Sequence, residues 1–270
     1  MSADNQTTPI LLLGAGRMGG ALVEGWRRAG AFAPADLILC DPHPGDVAKA
    51  AATGGAKLNP PDAALAEART VVLAVKPQMW REAAANFAGK LAPDAVIVSI
   101  AAGVRTADIA AAFGGRRVAR VMPTTAVSIA QGVASIYAAD AAARGRAHAL
   151  FDPVATAVDL GDEALVDAAT AVSGSGPGYL YAFVEALQAA GDRVGLAPDV
   201  ARTLARATVA SAAALMTATG EEAAELRRQV TSPGGTTEAA LKVLMGEAGL
   251  GDLVPRAADA ALRRARELAG

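Results

Sequence analysis

The stretch that decides the fold is PILLLGAGRMGG, residues 9–20. Its apolar residues run into a cluster of glycines, and the glycines open a segment of helical character at Met18–Ala29. A short, uninterrupted apolar run is typical of a strand buried on both faces of a parallel sheet. Strand, tight turn and helix in this order predict the first βα unit of a doubly wound sheet.

The glycines follow the spacing G-x-G-x-x-G at Gly14, Gly16 and Gly19. In this context Gly14 permits the tight turn, Gly16 lets the backbone approach a pyrophosphate, and Gly19 lets helix and strand pack closely. The helix N-terminus also favours phosphate charge. The pattern predicts a dinucleotide site that includes Arg17 and Met18. The alternative is a glycine-rich turn without a ligand.

Strand-like runs recur along the first half of the chain. Similar apolar runs occur at residues 35–41, 70–77, 95–103, 116–123 and, as a late edge strand, 132–140. Their alternation with helical stretches implies βαβ units with right-handed crossovers. From about Asp162 the strand-like runs stop. The predicted fold class is therefore α/β, with a Rossmann-type parallel-sheet domain at residues 1–161 and an all-helical domain at residues 162–270.

The composition narrows the function classes. The chain has 25 Lys and Arg against 27 Asp and Glu, which points neither to nucleic acid nor to a membrane surface. The single cysteine, Cys40, excludes an internal disulfide framework and a cysteine-based metal site, and we expect no metal. The N-terminus lacks a signal-peptide pattern, and no apolar run approaches the roughly 20 residues of a membrane span. We expect a cytoplasmic protein.

Alanine dominates a hydrophobic content of 53%, whereas aromatic residues make up only 4%. A core built from such small side chains suits closely packed helices. It also suggests that a partner subunit covers part of the apolar surface.

Asp41 ends the second apolar run, 22 residues beyond Gly19. A carboxylate at this position accepts hydrogen bonds from the adenosine ribose hydroxyls and favours NADH. It repels the 2′-phosphate of NADPH unless a cation compensates, and the nearby His43 and Lys49 form no arginine clamp. The alternative is that Asp41 is a turn or cap residue in DPHPG.

Three later runs end in turns at what should be one sheet edge, at residues 74–78, 99–103 and 122–125. The carboxyl ends of parallel strands meet at the edge where cofactors lie in such folds. The further cofactor contacts predicted there are Val75, Lys76, Pro77, Ala101 and Thr124.

The C-terminal half contains TSPGGTT, residues 231–237, directly before a helical pattern. Amides of a glycine-rich turn and nearby hydroxyl groups suit a carboxylate. The alternative is a plain corner between helices, with Thr237 as a simple N-cap. His43 and His148 stand in no motif, so the chemistry is expected to run without a histidine acid.

Seven segments together resemble the pyrroline-5-carboxylate reductase family: LLLGAGRMG, AVKP, VSIAAG, RVMP, AVSGSGPGY, GLAPDVA and LRRQVTSPGGTTEAAL. The resemblance runs in order from about residue 9 to 265, and VTSPGGTT is its most specific part. It implies NAD(P)H-dependent reduction of a small imino acid, L-1-pyrroline-5-carboxylate, to L-proline, the last step of proline biosynthesis. NADPH is the usual cofactor of the family, and Asp41 argues that NADH is accepted. The resemblance also implies a homodimer through the helical domain and, as a larger assembly, a ring of dimers.

The resemblance assigns roles within the 231–237 segment. Ser232, Gly234, Gly235 and Thr236 are expected to hold the substrate carboxylate, and Thr237 to face the imine nitrogen as the catalytic residue. A threonine is too weak an acid to ionise at neutral pH. Its hydroxyl can still orient and polarise the C=N bond, and positioning of the reactants can supply roughly 7–11 kcal/mol of barrier reduction.

One departure from the family pattern keeps alternatives open. The family's MPNTPA reads MPTTAV here, with Thr124 and Ala126 in the places of Asn and Pro. With these residues, one alternative is weaker cofactor binding than in the family. The other is that the substrate is a different cyclic imino acid, such as a piperideine carboxylate. A non-catalytic NAD(P)-binding relative is a further alternative. A β-hydroxyacid dehydrogenase is disfavoured, because the only lysine beyond residue 100 is Lys242, after TTEAAL.

Overall fold

A computed structural model describes residues 4–269, which divide into two compact units. The first contains the residues up to Gly174 and the C-terminal residues from Leu262 onward, and the second is Ser175–Ala261. The first unit is built on a β-sheet, and the second is helical.

Over the described residues 4–269, the sheet of the first unit has eight strands. They are β1 (Ile10–Leu13), β2 (Leu37–Cys40), β3 (Lys57–Leu58), β4 (Thr70–Leu73), β5 (Val96–Ser99), β6 (Val118–Pro123), β7 (Gly132–Tyr137) and β8 (Ala155–Asp159). Their order across the sheet is β3-β2-β1-β4-β5-β6-β7-β8.

The first six strands are parallel, which confirms the predicted Rossmann-type sheet. β7 runs antiparallel to β6, and β8 pairs parallel to β7 on its outer side. The strand predicted at residues 132–140 is present as β7, but its predicted position at the edge was wrong, because β8 covers that edge. Sequence reasoning missed β8 and the two-residue strand β3.

Helices flank this sheet and make up the second unit. Those of the first unit are α1 (Asp4–Thr7), α2 (Arg17–Ala29), α3 (Asp46–Thr53), α4 (Asp62–Leu65), α5 (Trp80–Phe87), α6 (Thr106–Ala112), α7 (Ala141–Phe151) and α8 (Leu165–Ala169). They are followed by α9 (Gly176–Arg193), α10 (Pro198–Thr219), α11 (Ala223–Gln229), α12 (Thr236–Leu244) and α13 (Leu250–Ala269). A π-helical turn at Thr170–Gly174 continues α8.

The sheet buries both of its faces, as the uninterrupted apolar strands predicted. In β1, Ile10 and Leu12 belong to a core shared with α2 and α7. Leu11 and Leu13 belong to a second core, shared with α5 and α6. Alternate residues of one strand thus serve opposite cores, because successive side chains of a strand point to opposite faces.

Trp26 and Gly25 hold the C-terminal part of α2 in place. The indole N–H of the fully buried Trp26 donates to the carbonyl oxygen of Leu150 in α7 at 2.8 Å. A Cβ at Gly25 would lie 2.1 Å from the carbonyl oxygen of Val127, so only glycine allows this approach. These contacts fix the axis of the helix that follows the glycine loop.

A buried cluster of charged side chains joins the segment around α8 to the sheet of the first unit. The Arg120 side chain in β6 is 4% exposed and reaches Glu163 at 3.3 Å and Asp167 at 3.2 Å. Glu163 also accepts the backbone N–H of Thr106 at 2.7 Å. Residues 163–174 therefore belong to the first compact unit. The domain boundary expected between residues 161 and 162 stays a prediction.

The helical unit buries little of its own apolar surface. Helices α9 and α10 pack so closely that a Cβ at Gly191 would lie 2.9 Å from the Cβ of Ala201. Only Ala201 and Ala205 are buried in α10, and no residue of α9 is. Large apolar side chains such as Val194 (80% exposed) and Val243 (77% exposed) are accessible to solvent. In the described residues, no helix is long and apolar enough to cross a membrane.

Replacing Trp26 by Phe should leave the buried Leu150 carbonyl without its donor. We expect Trp26→Phe to lower the free energy of unfolding by about 1–3 kcal/mol more than Trp80→Phe does. Trp80 is a matched control, since it is also buried and its indole N–H has no hydrogen-bond partner among the described residues. Urea unfolding followed by circular dichroism measures both variants, and equal losses would contradict the role given to this hydrogen bond.

Candidate active site

The parallel strands bring the predicted cofactor residues to one edge of the sheet. Leu13, Leu73 and Ser99 are aligned across β1, β4 and β5, and each is the last residue of its strand. The glycine loop, the 75–77 turn and Ala101 follow these ends directly. Thr124 follows β6, which extends three residues beyond the register partner of Ser99.

The glycine loop has the geometry that a pyrophosphate requires. Gly14 has φ +93°, and a Cβ there would lie 2.9 Å from the carbonyl oxygen of Ala74. A Cβ at Gly19 would lie 2.1 Å from the carbonyl oxygen of Gly14. At Gly16 a Cβ would meet no atom of the chain within 4 Å. The protein itself therefore needs glycine at positions 14 and 19, whereas position 16 opens onto space that a dinucleotide would fill.

The end of β2 is joined to this loop by two consecutive hydrogen bonds. The N–H of Gly14 donates to the carbonyl oxygen of Cys40 at 2.8 Å. The N–H of Ala15 donates to Asp41 Oδ2 at 2.7 Å, and Asp41 Oδ1 accepts the N–H of His43 at 2.7 Å. Asp41 is thus both the turn residue of the alternative interpretation and a carboxylate held against the glycine loop.

Sequence reasoning missed Asn59, which follows β3. Its side-chain oxygen accepts the backbone N–H of Asp41 at 2.9 Å, and its side-chain NH₂ donates to the Asp41 carbonyl at 2.9 Å. Asn59 has φ +46°, a conformation that asparagine adopts more readily than most residues. The only signal for Asn59 in the sequence is faint, an asparagine before two prolines.

The other predicted cofactor residues differ in accessibility. Arg17 and Met18 begin α2, and Lys76 is exposed at the start of the turn after β4. Ala101 is buried. Thr124 is also buried, and its hydroxyl oxygen accepts the N–H of Val133 at 3.0 Å. Thr124 therefore supports the pairing of β6 with β7, and its contact with a cofactor stays a prediction.

The 231–237 segment forms a turn that leads into α12. Its N-cap is Gly235, and Thr237 is the second residue of the helix, so the simple N-cap alternative for Thr237 does not hold. Gly234 has φ +70°, which favours glycine. Within the described part of the chain, the hydroxyl groups of Ser232, Thr236 and Thr237 have no hydrogen-bond partner and are available to a ligand.

The two glycine amides of this turn have partners inside the chain. Gly235 N–H donates to the Ser232 carbonyl at 3.0 Å, and Gly234 N–H donates to Glu238 Oε2 at 2.5 Å. The bond from Gly234, followed by the contact with Lys242, lowers the pKa of Glu238. Sequence reasoning missed Glu238, although a glutamate at the third position of a helix is a capping signal.

The described geometry defines a class: a Rossmann-type protein with a site for a dinucleotide cofactor of the NAD(P) kind. Residues 9–103 match a family model described as NADP oxidoreductase, coenzyme F420-dependent. Residues 163–268 match one described as pyrroline-5-carboxylate reductase dimerisation.

Named relatives match over nearly the whole chain. A pyrroline-5-carboxylate reductase of Pseudomonas aeruginosa is 41% identical over 268 residues, covering 97% of each chain. The solved structure of a pyrroline-5-carboxylate reductase from Coxiella burnetii has a TM-score of 0.89 at 31% identity, covering 98% of this chain and 99% of the other. The chain therefore belongs to the pyrroline-5-carboxylate reductase family.

A third relative shares the fold. The Plasmodium falciparum pyrroline carboxylate reductase, solved with NADP bound, has a TM-score of 0.83 at 22% identity. It covers 98% of this chain and 99% of its own.

The glycine loop predicts opposite effects for two alanine substitutions. Gly16→Ala should leave the free energy of unfolding within about 1 kcal/mol of the wild type, and weaken NADH and NADPH binding about 10-fold or more, because the new methyl group enters the dinucleotide space. Gly19→Ala should destabilise the fold by about 2 kcal/mol or more, since its methyl group meets the Gly14 carbonyl. Urea unfolding and fluorescence titration measure the two effects. Tight cofactor binding by Gly16→Ala would contradict the assignment of this space.

Proposed function

We propose that this chain catalyses the NAD(P)H-dependent reduction of L-1-pyrroline-5-carboxylate to L-proline, the last step of proline biosynthesis. The proposal rests chiefly on the 41% identity to a protein of that name along 97% of the chain. The glycine loop and the turn before α12 supply the two kinds of binding surface that such a reaction needs.

The residues around the first sheet edge fit a dinucleotide. The open position at Gly16 and the first turn of α2, with Arg17 and Met18, would hold the pyrophosphate. Asp41 would accept the adenosine ribose hydroxyls, so NADH is used as well as NADPH. The turn at residues 75–77, with Ala101 and Thr124, would contact the nicotinamide end. The bound cofactor supplies the hydride.

The turn before α12 would bind the imino acid. Among the residues that the structure describes, the hydroxyls of Ser232 and Thr236 and the amides of the first turn of α12 have no partner, and they suit its carboxylate. Gly234 and Gly235 shape the turn, and their amides serve the carboxylate only if they exchange their internal partners. Thr237 would hydrogen-bond the imine nitrogen and hold the C=N bond in a polarised orientation, which needs no ionised side chain.

The helical unit would form a homodimer. Its helices leave large apolar side chains exposed, and a second copy can cover them without any further chain. The dimer, its assembly into a ring, a cytoplasmic location and the domain boundary after residue 161 are parts of the same proposal.

The reaction itself is the first test. We expect the purified protein to oxidise NADH or NADPH when L-1-pyrroline-5-carboxylate is added, with stoichiometric formation of L-proline. Absorbance at the reduced-nicotinamide band and amino-acid analysis measure the two products. A six-membered piperideine carboxylate in parallel tests whether Thr124 and Ala126 shift the substrate. Turnover of only that substrate, or none of either, would overturn the proposal.

Loss of the Thr237 hydroxyl should slow the chemical step. We expect Thr237→Ala to lower kcat about 10–100-fold, because one hydrogen bond to the reacting imine is lost. The dissociation constant of NADPH should stay within about twofold, since this residue contacts the imine and not the dinucleotide. Thr237→Ser, which keeps a hydroxyl, is the control and should retain most of the rate. Equal rates for the alanine and serine variants would remove the catalytic role.

A further inference from the structure

We propose that Asn59, acting through the carboxylate of Asp41, makes this chain prefer NADH over NADPH. The inference rests on the proposed function only in that a reduced dinucleotide is the cofactor. It assigns a positioning role to a residue that lies outside the glycine loop and outside the predicted contacts.

The Asp41 carboxylate is held in one orientation by the chain itself. One oxygen accepts the Ala15 N–H and the other accepts the His43 N–H, both at 2.7 Å. Rotation of the carboxylate away from the glycine loop would break both charge-assisted hydrogen bonds. Each oxygen keeps a second lone pair, so the carboxylate can still accept ribose hydroxyls.

Asn59 fixes the backbone from which this carboxylate projects. Its side chain pairs with both the N–H and the C=O of Asp41, as a neighbouring strand would. Its own N–H donates to the Leu39 carbonyl at 2.8 Å. Three hydrogen bonds therefore continue the pairing of β2 with β3 beyond the two residues of β3. The left-handed backbone of Asn59, with φ +46°, turns its side chain onto Asp41.

Two lysines near the end of β2 are each paired with another carboxylate, so they do not offset the charge of Asp41. Lys57 is paired with Glu67 at 2.6 Å, and Lys90 with Asp62 at 3.0 Å. Burial raises the pKa of the Cys40 thiol to about 11, so this neighbour is neutral at pH 7. A 2′-phosphate would bring two negative charges towards a carboxylate that cannot turn away, whereas a 2′-hydroxyl would donate to it.

The test is direct binding of the two cofactors to the full chain. NADH and NADPH are titrated by nicotinamide fluorescence against the wild type, Asp41→Ala, Asn59→Gly and the double variant. Glycine at position 59 removes the side chain and keeps the left-handed backbone accessible. Because binding needs no turnover, a failure of the proposed reaction would leave this test intact.

We expect the wild type to bind NADH about 10-fold or more tighter than NADPH, and Asp41→Ala to abolish most of that ratio. As a single variant, Asn59→Gly should reduce the preference for NADH over NADPH about threefold or more. Added to Asp41→Ala, it should change this preference less than about twofold. That loss of effect in the double variant separates positioning through Asp41 from general loosening of the fold.

Ala248→Gly is the matched control, because Ala248 also has a left-handed backbone, with φ +56°, and lies in the helical unit. It should leave the ratio unchanged. Wild-type preference for NADPH would overturn the inference and would point to Arg17, His43 or Lys49 as the phosphate partner. An unchanged ratio in Asn59→Gly, or an equal change with and without Asp41, would also overturn it.

Discussion

The first unit depends on one close backbone contact, between the Gly14 carbonyl and Gly19. The distance of 2.1 Å that a Cβ at Gly19 would have to this oxygen means that α2 starts in contact with the end of β1. The axis of α2 is fixed again at Gly25 and Trp26, two turns later. With both ends defined, α2 begins at the sheet edge where β1, β2, β4 and β5 end in register. The binding surface is therefore a consequence of how tightly the helix and sheet pack.

The parallel strands and the glycine loop could be predicted from sequence because they rest on local patterns. Each central strand is a short apolar run, and G-x-G-x-x-G after such a run has a defined geometry. β8 was missed because ATAVD is half exposed and offers no apolar run. β3 was missed because it contains only two residues, and the pairing beyond them is made by the Asn59 side chain with the backbone of Asp41.

The residues that sequence reasoning missed act through long-range or competing contacts. Arg120 in β6 looks like a surface residue until Glu163 and Asp167, more than 40 positions later, neutralise it. Asn59 and Asp41 are 18 positions apart. In the turn before α12, the sequence indicated which residues carry hydroxyls. It did not indicate that Glu238 takes the Gly234 amide, since that choice depends on the turn's conformation.

The alanine-rich helices of the second unit have a consequence for conformational entropy. An alanine side chain has no rotamers to lose when it is buried, whereas a long side chain loses up to about 2 kcal/mol. The approach of Gly191 to Ala201 shows backbones brought together with almost nothing between them. Such a pair of helices gains little apolar area per residue, yet it orders few side chains in doing so. If another chain covered the exposed surface of these helices, mainly the few large side chains would lose conformational entropy. The same large side chains would dominate the free energy of association.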